Sequence, residues 1–154
     1  MGNSTILSTR AKFIMKRNSG AAEGLMVITG NHMSKIGIII KDIQDENKLP
    51  EYDKDVIVEE DVWLAANVTL LSGVKVGRGA IVGSGAVCRS SVPPYAIVIG
   101  NPAKVVGFRF LPEEIIEHEK ALYESKDRIS VEVLEDNYLN YFIRRAKEIK
   151  SFLN

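Results

Sequence analysis

Two histidines are the residues of this chain best suited to proton transfer: His32 in "ITGNHMS" and His118 in the acidic stretch "EEIIEHEK". A neutral imidazole can take a proton from a hydroxyl near neutral pH, because its ordinary pKa is about 6.5. His32 follows a glycine-containing turn in a β-rich region, where it is either a solvated loop side chain or a general base. His118 falls inside a helical pattern, and we expect it at the surface.

Groups that could orient an imidazole lie on both sides of His32. The Asn31 side-chain amide could help to orient the site, or it could simply stabilise the turn. A carboxylate on the second ring nitrogen would fix the tautomer, and the following segment offers Glu46, Glu51 and Asp53. The sequence does not choose among these three carboxylates.

Composition narrows the classes of function. The 154 residues include 20 Lys and Arg and 20 Asp and Glu, so no overall charge favours binding to nucleic acid or acidic lipid. A single cysteine, Cys88, excludes an internal disulfide. The first residues lack the apolar core of a signal peptide, and no apolar run is long enough to span a bilayer. These features predict a soluble cytoplasmic protein.

Residues 58–93 repeat with a period of six, as the blocks VEEDVW, LAANVT, LLSGVK, VGRGAI, VGSGAV and CRSSVP show. The first position of each block is apolar: Val58, Leu64, Leu70, Val76, Val82, Cys88. The fifth is apolar and mostly small: Val62, Val68, Val74, Ala80, Ala86, Val92. The fourth is a turn-forming residue: Asp61, Asn67, Gly73, Gly79, Gly85, Ser91. A helix or a simple strand does not produce this period.

A short extended rung followed by a tight corner explains the three positions. Gly, Asn and Asp tolerate the positive φ that such a corner requires. Three rungs and three corners would close a coil of about 18 residues, with the first and fifth positions inside. Successive coils would stack at strand spacing and pair their backbones, as in other repeat proteins. Cys88 is then a buried apolar residue and not a nucleophile.

The flanking segments depart from this period. Extending the first position backwards gives polar Ser4, Arg10 and Lys16, so residues 1–32 are expected to form one or two irregular coils with an insertion. Residues 33–55 read as a loop that leaves the coil and returns before Val56. The pattern becomes helical from Pro112. We therefore predict a β domain over residues 1–110, with 33–55 inserted, and a helical extension over 111–154.

The blocks, together with "TGNH", "DVWLAAN" and "GNPAK", resemble the hexapeptide-repeat O-acetyltransferases of the maltose, galactoside and capsular-polysaccharide type. The likeness covers roughly residues 25–107. It implies a mainly β fold, a left-handed parallel β-helix, with the handedness coming from the resemblance alone. It also implies a homotrimer with active sites between subunits, and an oligosaccharide or small molecule as the acceptor. Glu59 and Ala65 stand where the family often has glycine, which could reshape a cofactor channel.

The resemblance implies acetyl transfer from acetyl-CoA to a hydroxyl, with His32 as the general base, Asn31 beside it, and neither a metal nor a covalent enzyme intermediate. Small residues at the corners suit the pantetheine arm. Trp63 faces outward, which suits a ligand or subunit contact. Lys104 and Arg109 could neutralise phosphates. The residues that match the family's coenzyme positions are Trp63, Ala65, Ala66, Gly83, Ser84, Lys104 and Arg109.

Three alternatives remain open at this point. The first is an acyltransferase that uses another acyl donor, such as acyl carrier protein. The second acylates a nucleotide-linked amino sugar. The third is a non-catalytic solenoid that serves as a scaffold or binds sugar. A carbonic anhydrase on this scaffold needs three histidine ligands to zinc, and the chain has two histidines.

Overall fold

The computed structural model describes residues 3–8 and 10–154. Met1, Gly2 and Thr9, which belong to the predicted domain 1–110, lie outside the described residues. The strands within the described ranges are short and numbered in chain order: β1 Thr5–Leu7, β2 Phe13–Met15, β3 Gly20–Ala21, β4 Met26–Ile28, β5 Val56–Val58, β6 Trp63–Leu64, β7 Thr69–Leu70, β8 Lys75–Val76, β9 Ile81–Val82, β10 Val87–Cys88, β11 Ala96–Ile99 and β12 Lys104–Phe108.

Helices follow the last strand: α1 Pro112–Leu122, α2 Val131–Tyr141 and α3 Ala146–Leu153. Single 3-10 turns occur at Ile40–Asp42, Asp45–Asn47, Pro50–Tyr52, Ser125–Asp127 and Ile143–Arg145. The start of α1 is capped by Glu114, whose carboxylate accepts a 2.8 Å hydrogen bond from the Leu111 amide. None of the helices in the described ranges has the length and apolar character of a bilayer-crossing segment.

The chain visits three sheets in rotation. Sheet 1 contains β1, β4, β7 and β10, sheet 2 contains β2, β5 and β8, and sheet 3 contains β3, β6, β9, β11 and β12. Every strand pair is parallel except β11 with β12. The strand pairs β5 with β8, β6 with β9 and β7 with β10 join residues 18 positions apart, as in Trp63 with Ile81 and Thr69 with Val87. This register confirms the predicted three-rung coil.

The predicted inward positions form the core. All six residues of the first position have no exposed surface, and those of the fifth are at most 5% exposed. Five residues of the fourth position have positive φ: Asp61, Asn67, Gly73, Gly79 and Gly85. Burial raises the pKa of the Cys88 thiol to about 11, so this side chain is an uncharged core residue, as predicted.

The first coil is more regular than the sequence suggests. Phe13 pairs with Val56, 43 residues later, and the same offset joins Gly20 to Trp63 and Met26 to Thr69. Because 43 is one more than a multiple of six, the intervening loop displaces the phase by one residue. The inward positions before the loop are therefore Met15, Ala21 and Val27, which pack in the core, and not Lys16 and Arg10.

The helices close the end of the coil that follows the last rung. β12 turns back along β11, and a second apolar cluster joins Tyr95 to Ile115 of α1 and Leu134 of α2. α3 reaches the last corner, where the Phe152 ring lies against Gly100. The predicted class, mainly β with a C-terminal helical segment, is confirmed. The interruption between α2 and α3 was not predicted.

Candidate functional site

His32 lies at the base of the inserted loop. β4 places it just beyond the corner that follows sheet 1, and both sides of the loop meet there. The backbone N–H of Asn31 donates to the Tyr52 carbonyl at 2.9 Å, and the backbone N–H of Lys54 donates to the Thr29 carbonyl at 2.9 Å. Gly30 and Asp53 form an antiparallel bridge between these two bonds. We call this narrow part, residues 29–31 and 52–54, the loop neck.

The exposed His32 side chain borders two clefts. One, of about 400 Å³, is bounded by Leu7, Ile28, Asp45 and Lys48 together with the neck residues. The other, of about 310 Å³, lies between His32 and the loop turn at Ile40–Glu46. An exposed imidazole beside an open cleft can reach a hydroxyl group of a bound molecule.

The three candidate partners of His32 are placed differently. Glu46 borders the smaller cleft with His32. Glu51 is exposed on the last 3-10 turn of the loop. Asp53 is turned inward with 4% of its side chain exposed, and its oxygens lie 2.7 Å from Lys48 Nζ and 3.5 Å from Arg10 Nε. Asp53 therefore makes its charge contacts with two cations.

Four of the predicted coenzyme positions lie together on another edge of the coil. Ala65 and Ala66 form the corner between β6 and β7, and Gly83 and Ser84 form the corner directly next to it, between β9 and β10. The Ala65 amide donates to Val82 and the Gly83 amide donates to Val98, which ties successive coils together. We call this stack, Ala65, Ala66, Gly83 and Ser84, the small-residue edge.

Two further predicted residues adjoin the small-residue edge. Lys104 is the first residue of β12 and pairs with Ile99 of β11. The Ile99 side chain packs closely on Gly83, since a Cβ added to Gly83 would lie 2.7 Å from it, so Lys104 lies near the small-residue edge. The Lys104 ammonium lies 3.4 Å from Glu148 and 5.3 Å from the centre of the Phe152 ring, both on α3. Trp63 lies on the outer face of sheet 3 with half of its surface exposed and covers Gly20.

Arg109 does not join this group. Its guanidinium lies at the corner between sheets 2 and 3, where it contacts Asp61 Oδ2 at 2.8 Å and the Gly79 carbonyl at 3.1 Å. The side chain also lies over the rings of Tyr95 and Phe110. Arg109 thus binds two corner residues of adjacent coils, because its several donors can satisfy a carboxylate and a carbonyl at once.

A buried polar cluster near Arg109 went unnoticed in the sequence. Glu119 of α1 accepts hydrogen bonds from Tyr95 Oη at 2.6 Å, Arg78 at 2.9 Å and the Ile129 amide at 3.1 Å. His118, expected to be exposed or paired at the surface, packs edge-on against Tyr95 and lies 3.9 Å from Asp61 with 28% of its side chain exposed. Burial, reinforced by the Glu119 carboxylate, raises the pKa of Tyr95 well above its ordinary value. No periodic spacing marks these residues, because their contacts are made only when α1 docks.

The small-residue edge and His32 lie at opposite borders of sheet 1. The Ala66 and Ser84 corners lead into β7 and β10, whereas the Thr29 corner, tied to Ser72 by a 2.8 Å hydrogen bond, follows β4 and β7. A rung of about six extended residues spans roughly 20 Å at about 3.3 Å per residue. One chain therefore holds the two groups on different edges. Among the described residues there is no group of three or more His, Cys, Asp or Glu side chains that could hold a metal ion.

Comparison with known proteins matches the repeat and the fold. Residues 55–90 match the family described as bacterial transferase hexapeptide, with six repeats. A search of curated protein sequences found no significant match. The structure is similar to AntD, an N-acyltransferase from Bacillus cereus solved with dTDP and coenzyme A, with 17% identity, a TM-score of 0.58, and coverage of 77% of this chain and 63% of AntD.

It is also similar to NeuO, a polySia-specific acetyltransferase, with 19% identity, a TM-score of 0.63, and coverage of 84% of this chain and 57% of NeuO. A maltose O-acetyltransferase from Clostridium difficile 630 has 18% identity, a TM-score of 0.44, and coverage of 67% of this chain and 70% of that protein. The chain spans less than two thirds of the length of AntD and NeuO. Residues 55–90 therefore match the hexapeptide-repeat family model, and the chain shares its fold with AntD and NeuO.

Proposed function

We propose that this protein is an acetyl-CoA-dependent O-acetyltransferase that acetylates a hydroxyl group of a sugar or polysaccharide precursor. The observation that carries the proposal is the placement of His32, exposed directly next to the loop neck and bordering a cleft of about 400 Å³. The fold that the chain shares with AntD and NeuO supports acyl transfer as the reaction class. We also infer that the coil is left-handed, as in hexapeptide-repeat proteins.

In this proposal His32 is the general base. Its unprotonated ring nitrogen takes the proton from the acceptor hydroxyl as that oxygen forms its bond to the acetyl carbon. The carbon–sulfur bond then breaks, and the imidazolium returns the proton to the departing sulfur, so no covalent enzyme intermediate forms. Acetyl-CoA supplies an acyl group already activated as a thioester, and the reaction needs no metal. The backbone N–H of Asn31, bonded to the Tyr52 carbonyl, fixes the chain next to His32, and the Asn31 side-chain amide is proposed to orient the acceptor beside it.

We infer that a second copy of the chain completes the site. His32 and the small-residue edge occupy opposite borders of sheet 1, too far apart to act on one thioester. In a homotrimer with the coils side by side, the His32 border of one subunit can face the small-residue edge of the next. Exposed apolar groups on the outer faces support such packing, among them Leu7, Met26 and Trp63.

The coenzyme is proposed to bind along the small-residue edge. Ala65, Ala66, Gly83 and Ser84 leave room for the pantetheine arm, Trp63 flanks it, and Lys104 binds a phosphate. Arg109 is assigned to the fold, because its guanidinium is already bound to Asp61 and Gly79. A cytoplasmic location fits this proposal, since acetyl-CoA is supplied there.

The test measures thiol release from acetyl-CoA with a panel of hydroxyl and amino sugars. We expect hydroxyl acceptors to support turnover, His32→Ala to lower kcat by about 100-fold or more, and His118→Asn to retain activity. Turnover on amino sugars alone would indicate an N-acyltransferase, and turnover with another acyl donor would change the cosubstrate. Binding of sugar without turnover would support a scaffold. An active monomer in analytical ultracentrifugation would contradict the shared site.

A further inference from the structure

Asp53 is the acidic residue of the loop neck, and its surroundings are unusual for a surface loop. Only 4% of its side chain is exposed, and Lys48, its nearest cation, is only 11% exposed. A buried carboxylate is costly unless cations compensate it, and here Lys48 and Arg10 do so. The pairing is therefore a fixed feature of the fold and not a transient surface contact.

The three charged residues come from three different parts of the chain. Arg10 belongs to the segment between β1 and β2 in the first coil, Lys48 lies between two 3-10 turns of the inserted loop, and Asp53 directly follows the last of these turns. Arg10 also donates a hydrogen bond to the Asp45 carbonyl. Arg10 therefore links the first coil to the inserted loop at two points, Asp45 and Asp53.

Gly30 shows how closely this cluster fits the neck. Gly30 and Asp53 are bridge partners, and a Cβ on Gly30 would lie 2.5 Å from Asp53 Oδ1 and 3.8 Å from Lys48 Nζ. Any larger residue there would displace the carboxylate. The absence of a side chain two positions before His32 thus lets Asp53 pack directly against the backbone that carries the histidine.

The same cluster sets the wall that faces His32. Lys48 and Asp45 border both clefts that His32 borders. Asp53 holds the Lys48 side chain, and Arg10 holds the Asp45 backbone. The backbone hydrogen bonds of the neck fix only its two segments, 29–31 and 52–54. The position of Asp45 and Lys48, which face His32 across the clefts, therefore depends on the charged cluster.

We propose that Asp53, acting through Lys48 and Arg10, is a positioning residue that fixes the acceptor cleft against His32 without touching the imidazole. This inference rests on the proposed function, in which the cleft takes the acceptor. Asp53 is one of three carboxylates that the sequence offers to His32. We assign it a different role, because its oxygens lie next to the cations Lys48 and Arg10.

The first test compares Asp53→Asn with Asp55→Asn. Asp55 is the matched control, since it lies at the same end of the loop but accepts a hydrogen bond from the Lys12 amide at 2.7 Å. We expect Asp53→Asn to lower kcat/KM for the acceptor by roughly 10- to 100-fold. The Kd for coenzyme A, which binds the other edge, should stay within about twofold. Equal effects of the two variants, or a parallel loss of coenzyme affinity, would overturn the proposal.

A second measurement does not depend on catalysis. Amide hydrogen exchange at Asn31 and Lys54 should accelerate in Asp53→Asn and stay unchanged in Asp55→Asn. If Asp53→Asn does not fold, Gly30→Ala keeps every charge but displaces the carboxylate, and the same acceptor-specific loss is expected. If amide exchange at Asn31 and Lys54 is unchanged in a folded Asp53→Asn protein, the proposed positioning role of Asp53 is wrong. If the wild-type protein shows no acyl transfer, but Asp53→Asn still accelerates amide exchange at Asn31 and Lys54, only the proposed function is wrong.

Discussion

The hydroxyl of Tyr95 donates a 2.6 Å hydrogen bond to the carboxylate of Glu119, and both side chains are buried between the last coil and α1. Arg78 lies 2.9 Å from the other carboxylate oxygen and compensates its charge. This contact anchors the helical extension to the coil. Because this contact lies on the edge away from His32, we expect a substitution here to change the stability of the protein and not its proposed activity.

Replacing Glu119 tests that anchor. Glu119→Ala removes the acceptor of the Tyr95 hydroxyl and the carboxylate that balances the Arg78 charge, leaving Arg78 only the Asp127 carbonyl, and we expect a loss of about 3–5 kcal/mol in the free energy of unfolding. Glu117→Ala, an exposed neighbour on α1, should change it by less than about 0.5 kcal/mol. Guanidinium denaturation measures both. A loss below about 1 kcal/mol for Glu119→Ala would mean that the pair does not anchor the helix.

The buried thiol of Cys88 makes the free energy of unfolding depend on pH in the alkaline range. Burial raises the pKa of its thiol from 9.0 to about 11, so between these values the unfolded state has lost a proton that the folded state keeps. This contribution to stability is therefore complete below pH 9 and is lost as the pH rises toward 11, by at most about 1.4 kcal/mol per pH unit.

Cys88→Ala should flatten the decline between pH 9 and 10 in urea denaturation. Tyr95, whose pKa burial and Glu119 also raise, should still cause a decline above pH 10 in that variant. Identical pH profiles for the variant and the wild type would show that the thiol does not contribute. The comparison is of slopes, because removing the sulfur also leaves a small cavity at every pH.

Ser84 tests the small-residue edge. Its side chain is exposed at the corner, so Ser84→Trp should fold normally but fill the space assigned to the pantetheine arm. We expect the Kd for coenzyme A to rise by about tenfold or more in isothermal titration calorimetry. Arg17→Trp, at an exposed corner between sheets 2 and 3, which is neither border of the proposed shared site, is the control. Unaltered coenzyme affinity in Ser84→Trp would move the binding site elsewhere.

Glu148 competes with phosphate for Lys104 under the proposed coenzyme site. Its hydrogen bonds to Arg145, and more weakly to Lys104, lower the pKa of its carboxyl to about 2, so it is charged at neutral pH. Glu148→Gln should tighten coenzyme A binding roughly two- to fivefold, because an exposed pair gives a modest competing attraction. The gain should shrink at high salt.

Glu132→Gln on α2 is the control for Glu148→Gln, since it removes one exposed acidic charge away from Lys104. Calorimetric titration with coenzyme A at two salt concentrations compares the two variants. Weaker binding in Glu148→Gln would show that α3 supports the coenzyme site instead of competing with it.

Local spacing predicted the coil because each rung imposes the same requirement. An inward apolar residue and a corner residue that accepts positive φ must recur every sixth position, as Leu64 and Asn67 do. The first coil was harder to see because the loop after β4 shifts the phase by one residue. Met15 and Val27 are inward, yet only their pairing with Val58 and Leu70 reveals it.

The sequence by itself determined the three-sided coil, the position of the inserted loop within it, and the presence of one histidine beside that loop, since these follow from spacing along the chain. Only the tertiary structure decided that Asp53 pairs with Lys48 and Arg10, that Arg109 binds Asp61, and that His32 and the small-residue edge lie on opposite borders of sheet 1. The physical reason is that contacts such as Arg10 with Asp53 join residues far apart in sequence. They depend on where separate segments meet in space, and no local period records that.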